Sequence, residues 1–278
     1  MLILTWNIQW GLGVDGRVDL ERIASDARRL ADADILCFQE VSDGYPELRG
    51  NDGANQFERL AALFPRHEAV AGVVLDVRAG DGARKRFGNL ILSRYPVEQV
   101  MRHVLPWSTV PEAECMPRGL LAAVLRTPLG PVRMMTTHLE WSSPILRGRQ
   151  IEAIRQIHEL ACGRVALPPK LGKGTYAPQL GSRSAILTGD FNMVPHETDG
   201  QLKQPFASDT PRFVDAWESL NAGVAHPPSM CVHDQSDGAP RCLDYVLMTP
   251  DLAPRVRSIT YDQTSRVSDH QPVVVELA

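Results

Sequence analysis

The sequence predicts an α+β sandwich, and two observations carry that expectation. Short apolar runs bounded by turn residues recur from one end of the chain to the other, while only a few segments show a helical period. Regular βαβ alternation would instead set a helix between each pair of strands. The candidate strands span 2–6, 35–38, 69–75, 90–93, 120–126, 132–136, 185–188, 245–248, 255–261 and 273–277.

The first helical segment is "VDLERIASDARRLADA". Leu20, Ile23, Ala27 and Leu30 share one face there, and Asp19 sits at the start, where a carboxylate caps free N–H groups. In "SPILRGRQIEAIRQIHELA", Ile151, Ile154, Ile157 and Leu160 are expected on the core face, with Ser143 as N-cap and Pro144 in the first turn. The segment 167–184, "LPPKLGKGTYAPQLGS" and its neighbours, is rich in Pro, Gly and Lys. It reads as a long exposed loop, either a passive insertion or a lid near a site, with the passive reading slightly favoured.

At 278 residues, 44% of them hydrophobic and 22% charged, the chain has the composition of a globular protein. No repeat or linker divides it, so residues 1–278 are expected to form a single domain. The net charge of −4 gives no support to a protein that grips long duplexes through a basic face. Five scattered cysteines without a CxxC pair predict a reduced chain and make a zinc site unexpected. No apolar run approaches the roughly 20 residues that span a bilayer. The opening "MLILTWN" lacks the basic flank of a signal peptide, so the expected location is cytoplasmic. A monomer is the default expectation.

The polar residues that punctuate the apolar runs are more informative. "LILTWN" ends in Asn7, "ILCFQE" in Glu40, "RMMTTHLE" in His138 and Glu140, and "AILTGDFN" in Asp190 and Asn192. Asp244 precedes "YVLM", and Asp269-His270 precede "QPVVVEL". Strands of opposite direction, one kind ending and the other starting in polar groups, converge on one edge of a sandwich. If the strand continues through Asn192, Asp190 and Asn192 point to the same side. The competing reading of that pair is a turn satisfying its own backbone.

Hard oxygen donors and histidines dominate this inventory, and thiolates are remote from it. Such donors suit Mg²⁺ or Mn²⁺, held by one or two carboxylates plus substrate phosphate. There is no G-x-S-x-G elbow, no GxxxxGK[ST] loop and no H-E-x-x-H pair. Serine hydrolase, P-loop kinase and zinc protease chemistry therefore lose their usual support. Cation-assisted attack of water on a phosphorus ester fits the residues best.

The ordered set "TWNIQ" (5–9), "FQE" (38–40), "TTHLE" (136–140), "TGDFN" (188–192), "LDYV" (243–246) and "SDH" (268–270) resembles the endonuclease/exonuclease/phosphatase, or DNase I-like, superfamily. "FGNLILSRYPV" (87–97) resembles a further family strand. The resemblance runs from Thr5 to His270 and implies a four-layer αββα sandwich with its cleft at one edge. By the same resemblance, Glu40 is the main Mg²⁺ ligand, Asn7 joins the metal and water network, and Asp269 is a second carboxylate on the metal side. Asp190 resembles the group that orients and deprotonates the attacking water, with Asn192 as its positioning partner. His270 resembles the phosphate-contacting histidine oriented by Asp244, and His138 the second such histidine of the "TH" branch. Arg118 is a further phosphate-contact candidate, with a surface arginine as the competing reading.

Substrate identity is less legible. "TTHLEW" departs from the pattern of apurinic endonucleases. It is similar to the branch of sphingomyelinases, inositol polyphosphate phosphatases, deadenylases and tyrosyl-DNA phosphodiesterases. A small-molecule or lipid-head-group phosphate ester is favoured. Nucleic acid is the alternative, with Arg84-Lys85-Arg86 and Lys170/Lys173 as phosphate contacts. A catalytically silent binding module of the same fold is the remaining reading.

Overall fold

The computed structural model describes residues 1–80, 82–108, 114–168, 170, 172–199 and 201–278. Twelve strands are present among them: β1 (Leu2–Asn7), β2 (Ile35–Asp43), β3 (Glu68–Arg78), β4 (Arg84–Ser93), β5 (Val97–Val104), β6 (Gly119–Thr127), β7 (Gly130–His138), β8 (Ala185–Asp190), β9 (Val214–Asp215), β10 (Asp244–Met248), β11 (Val256–Tyr261) and β12 (Val273–Leu277). Five α-helices join them: α1 (Leu20–Leu30), α2 (Gln56–Leu63), α3 (Pro144–Ala166), α4 (Pro195–Asp199) and α5 (Ala216–Leu220). The strands form two six-stranded mixed sheets, ordered β11-β12-β1-β2-β4-β3 and β5-β6-β7-β8-β10-β9.

Strand parity explains how the layers stack. On β1 and β2, Leu4, Trp6, Leu36 and Phe38 turn outward to meet Leu20, Ile23 and Ala27 of α1 and Phe57 and Leu60 of α2. The alternate residues Ile3, Ile35 and Cys37 turn inward and pack with Leu121, Ala123 and Met135 of the second sheet. Ile151 and Ile154 of α3 belong to that same core from the second sheet's side. The result is the expected α+β sandwich of two sheets flanked by helices, with apolar residues of all four layers removed from water.

The sequence reading needs correction at several elements. Leu160 is 64% exposed, because the stripe 151, 154, 157, 160 advances in steps of three. With 3.6 residues per turn each such step rotates about 60° around the axis, so the stripe drifts off the core. The buried face is instead Arg147, Gln150, Ile151, Ile154, His158 and Cys162. Strand β5 is absent from the sequence expectation because a register shift between Val97 and Gln99 breaks its period-two pattern, and its edge position leaves it half exposed. Helix α2 is only eight residues long, although Asn55 caps it by accepting the Glu58 N–H at 3.3 Å. That Asn-x-x-Glu spacing was a usable start signal.

The segment 167–184 is largely exposed where it is described; residues 169 and 171 lie outside the described set. Ser182 fastens it to Pro131 and, through its carbonyl, to Arg133. Both partners lie at the start of β7, the end away from His138. The described part of this loop therefore has its anchor far from the strand ends that carry the polar residues.

Candidate active site

Six strands bring their polar ends to one edge. β1 and β2 run parallel, as do β7 and β8, so Asn7, Glu40, His138 and Asp190 lie at or near carboxyl ends on one side of the sandwich. β10 and β12 run antiparallel to their neighbours, so Asp244 and the residues just before Val273 begin at that same edge. Register does the fine placement. His138 and Asp244 are both direct partners of Asp190, one on either side of β8.

Two local departures from regular strand aim the carboxylates. A register shift between Phe38 and Val41 leaves Glu40 in a bulge at φ +59°. A non-glycine residue in that region stores strain, and bulges commonly re-aim side chains beside active sites. Gly189 has φ +134°, and a Cβ there would lie 1.9 Å from the Thr137 carbonyl oxygen. Only glycine allows β7 and β8 to approach so closely where they present His138 and Asp190.

Strand β8 ends at Asp190, so the expected i, i+2 geometry through Asn192 does not occur. Asn192 sits at φ +50°. Its backbone N–H donates to Asp190 Oδ1 at 2.9 Å, and its side-chain amide donates to the Leu139 carbonyl at 3.0 Å. This is the turn that the sequence left open, and it locks one oxygen of Asp190. The other oxygen, Oδ2, accepts from Asn7 Nδ2 at 3.1 Å and lies 3.5 Å from both His138 Nε2 and His270 Nε2. Asn7 Nδ2 also donates to Glu40 Oε1 at 3.1 Å, while its Oδ1 accepts the Gln9 N–H. One carboxamide thus spans the two carboxylates.

The charges follow from burial and proximity. Burial pushes the Asp190 carboxyl up to about 6; His270 works against that rise and Asp244 reinforces it. Burial, then the Asp269 charge, pushes Glu40 up to about 7, despite the opposing Asn7 hydrogen bond. Asp269 is raised as well, chiefly by burial. For His270, burial opposes charge, but Asp244, Asp190 and Asp269 outweigh it and hold the imidazole well above its ordinary value. Its Nδ1 is 2.8 Å from Asp244 Oδ2. His138 is the opposite case: burial, with Arg118 and His270 nearby, holds it well below the ordinary value and keeps it neutral. The cleft therefore pairs one cationic and one neutral histidine about a single carboxylate.

Arg118 is not a surface residue. It is 5% exposed, and among the described residues its buried Nε has no hydrogen-bond partner. Fully buried Glu140, which the sequence marked only as punctuation, places Oε2 3.9 Å from that Nε, and this oxygen too has no hydrogen-bond partner among the described residues. Buried polar atoms are usually hydrogen-bonded, so this facing pair has donor and acceptor capacity left to offer. The basic run Arg84-Lys85-Arg86 is already engaged in ion pairs at the surface. Its members pair with Asp76, Glu47 and Asp43 respectively. Lys170 and Lys173 are exposed on the remote loop.

The donor set fits a hard divalent cation. Glu40 receives one hydrogen bond, from Asn7, and the crowding of Glu40, Asp269 and Asp190 is what a cation would relieve. Among the described residues, no cysteine joins a cluster close enough to share an ion. Asp190, Asp244 and His270 do form such a cluster, but Asp244 and His270 are already hydrogen-bonded to each other. Glu40 and Asp269 would leave most coordination positions to water and substrate, the pattern of Mg²⁺. A second cluster, Asp215, Glu218 and His226, is internally satisfied: Asp215 caps α5, and Glu218 pairs with Lys203 at 2.7 Å.

Comparison with solved structures shows the same fold in several proteins. TDP2 from Caenorhabditis elegans, in truncated form, aligns over 100% of this chain and 97% of its own, with 18% identity and a TM-score of 0.60. An endonuclease/exonuclease/phosphatase family protein from Bacteroides thetaiotaomicron aligns over 100% and 97%, with 17% identity and a TM-score of 0.66. The mannosyl-6-phosphatase Bt3783 of the same organism aligns over 100% and 99%, with 17% identity and a TM-score of 0.63. No curated protein matches the sequence. The sequence model of the Endonuclease/Exonuclease/phosphatase family matches residues 4–270, a span that takes in every polar group described above. The chain therefore belongs to that family.

Proposed function

We propose that the protein is a divalent-cation-dependent hydrolase of phosphate esters, working through water attack at the cleft around Asp190. The observation that carries this reading is the environment of Asp190 Oδ2, with Asn7, His138 and His270 all within 3.5 Å. A buried carboxylate raised to about 6 is far better matched to proton transfer near neutrality than an ordinary one near 4. Asn192 fixes Oδ1 from behind, so Oδ2 is the oxygen left to orient and deprotonate water.

His270, kept protonated by Asp244, supplies positive charge and an N–H where negative charge grows on phosphoryl oxygens. His138, neutral, donates one hydrogen bond without adding charge. Arg118 holds a further phosphoryl oxygen, its guanidinium backed by Glu140. Glu40 and Asp269 would hold the cation, with Asn7 bridging Glu40 to the base. When bound, Mg²⁺ or Mn²⁺ polarises the phosphoryl group and steadies the leaving oxygen. Positioning and fixed charge therefore do most of the work.

A small-molecule or lipid-head-group ester remains the favoured substrate class, with nucleic acid as the alternative. The structural neighbours include a protein named for the endonuclease/exonuclease/phosphatase family and a mannosyl-6-phosphatase. The neutralised Arg84-Lys85-Arg86 run weakens the nucleic-acid alternative. A catalytically silent module is disfavoured by the completeness of the cleft. The test is a substrate panel in Mg²⁺: single-stranded and nicked DNA, 5′-tyrosyl DNA, sphingomyelin, inositol phosphates and simple mono- and diesters. Turnover of at least one small or lipid-like ester is expected; failure across the panel would overturn the proposal.

A further inference from the structure

We infer that Trp107 and Trp141 form an aromatic clamp at the mouth of the cleft, which takes the planar ring of an aromatic phosphate ester. The inference deepens the proposed function, on which it rests for the position of the phosphorus. Both indoles are large apolar groups left facing water, 50% exposed at Trp107 and 59% at Trp141. Other tryptophans are engaged: Trp6 is buried, Trp10 donates to the Arg49 carbonyl, and Trp217 packs on Tyr261 and His226. Among the described residues, neither Trp107 nor Trp141 has a ring partner or an indole hydrogen bond.

Their placement is not accidental. The fully buried side chain of Gln150 ties together the residues immediately before them. Its Nε2 donates to the Pro106 carbonyl at 3.3 Å, and its Oε1 accepts the Glu140 N–H at 2.9 Å. Arg147 Nη1 adds a second fastening, donating to the carbonyls of Glu140 and Trp141. The backbones at both indoles are therefore held on one scaffold, the first turns of α3.

That scaffold abuts the phosphate end of the cleft. The Leu105 N–H bonds to the Arg118 carbonyl, two residues before Trp107. Trp141 follows His138 by three residues and Glu140 by one, and Glu140 faces Arg118. A phosphoryl group held by Arg118 and the histidines would carry its ester substituent out past both rings. Flat, unpartnered aromatic faces suit a planar ring, from either a nucleobase or a phenol, better than a flexible chain.

Calorimetry in Mg²⁺ tests the clamp; every protein titrated carries Asp190→Asn, so that the proposed hydrolysis does not consume the probes, and wild type here refers to positions 107 and 141. The probes are two matched pairs: adenosine 5′-monophosphate against ribose 5-phosphate, and phenyl phosphate against methyl phosphate. In the wild-type protein the aromatic member of at least one pair should bind about tenfold tighter, the effect of one stacked ring. Which pair shows it distinguishes base from phenol. Trp107→Ala and Trp141→Ala should bring that ratio close to one, and Trp141→Phe should largely restore it. Equal binding within both wild-type pairs, or a ratio that survives either alanine variant, would overturn the clamp. Tighter binding of hexyl phosphate than of phenyl phosphate would assign the rim to alkyl chains and overturn it as well. Failure of all hydrolysis would instead remove the phosphate-ester reading, while the binding ratios would still report on the clamp.

Discussion

Asp190 and Asp244 are register partners across the β8–β10 ladder, and His270 stands between their carboxylates. Its Nδ1 is 2.8 Å from Asp244 Oδ2 and its Nε2 is 3.5 Å from Asp190 Oδ2. One imidazole is thus charged by the carboxylate behind it and offered to the one in front. Asp244→Asn keeps the shape but removes the charge that holds His270 protonated. We predict a fall in kcat of about tenfold or more at pH 8 and an alkaline limb moved to lower pH. A pH–rate profile checks both, and an unmoved limb would separate Asp244 from the protonation of His270.

The wild-type profile should be bell-shaped. Asp190 must be deprotonated to act as base, so activity rises with pH, with the acid limb between the ordinary carboxylate range and about 6. His270 must be protonated, and its raised pKa puts the falling limb well above 6.5. Rates measured from pH 4 to 10 in saturating Mg²⁺ would show this. A flat profile through that range would contradict the assignment of both groups.

Cation binding should be visible as stability. Glu40, Asp190 and Asp269 have folded-state values raised above their ordinary ones. Raised values mean that the folded state binds protons more tightly at these groups, so their contribution to stability is fully present below about pH 4 and is lost as pH rises through about 6 to 7. A cation offsets the exposed charge repulsion. The increase in Tm on adding Mg²⁺ should therefore be larger at pH 8 than at pH 5, and Glu40→Gln should diminish it. Thermal scans at the two pH values decide the matter.

Gly189→Ala should unfold the site rather than modify it. The added Cβ meets a backbone carbonyl, in a conformation that side chains avoid. A loss of about 3 kcal/mol or more is expected, measured by urea denaturation. A loss under about 1 kcal/mol would show that β7 and β8 can separate without cost.

Much of this was legible in the sequence, because strand ends punctuated by Asn7, Glu40, His138, Asp190, Asp244 and His270 fix an edge as soon as strand direction is known. What stayed hidden was whatever depended on departures from regular geometry. Glu40 faces the cleft through a bulge, and Asn192 serves Asp190 through a turn rather than from a continuing strand. Neither follows from a period of two. The burial of Arg118 and its pairing with Glu140 were equally out of reach, because they come from packing between β6 and the chain beyond β7. Leu160 misled because apolar residues spaced by three look helical locally but wind away from the core.

The central claim is that these groups make one cation-dependent hydrolytic site, and one assay addresses it most directly. Release of nitrophenol from bis(p-nitrophenyl) phosphate is followed for wild-type protein, Asp190→Ala and His270→Ala, with Mg²⁺ or Mn²⁺ and again after chelation. We predict turnover by the wild type that chelation abolishes, and a fall of at least about a hundredfold in each folded variant. Turnover that ignores the chelator, or variants that keep near-normal rates, would contradict the account.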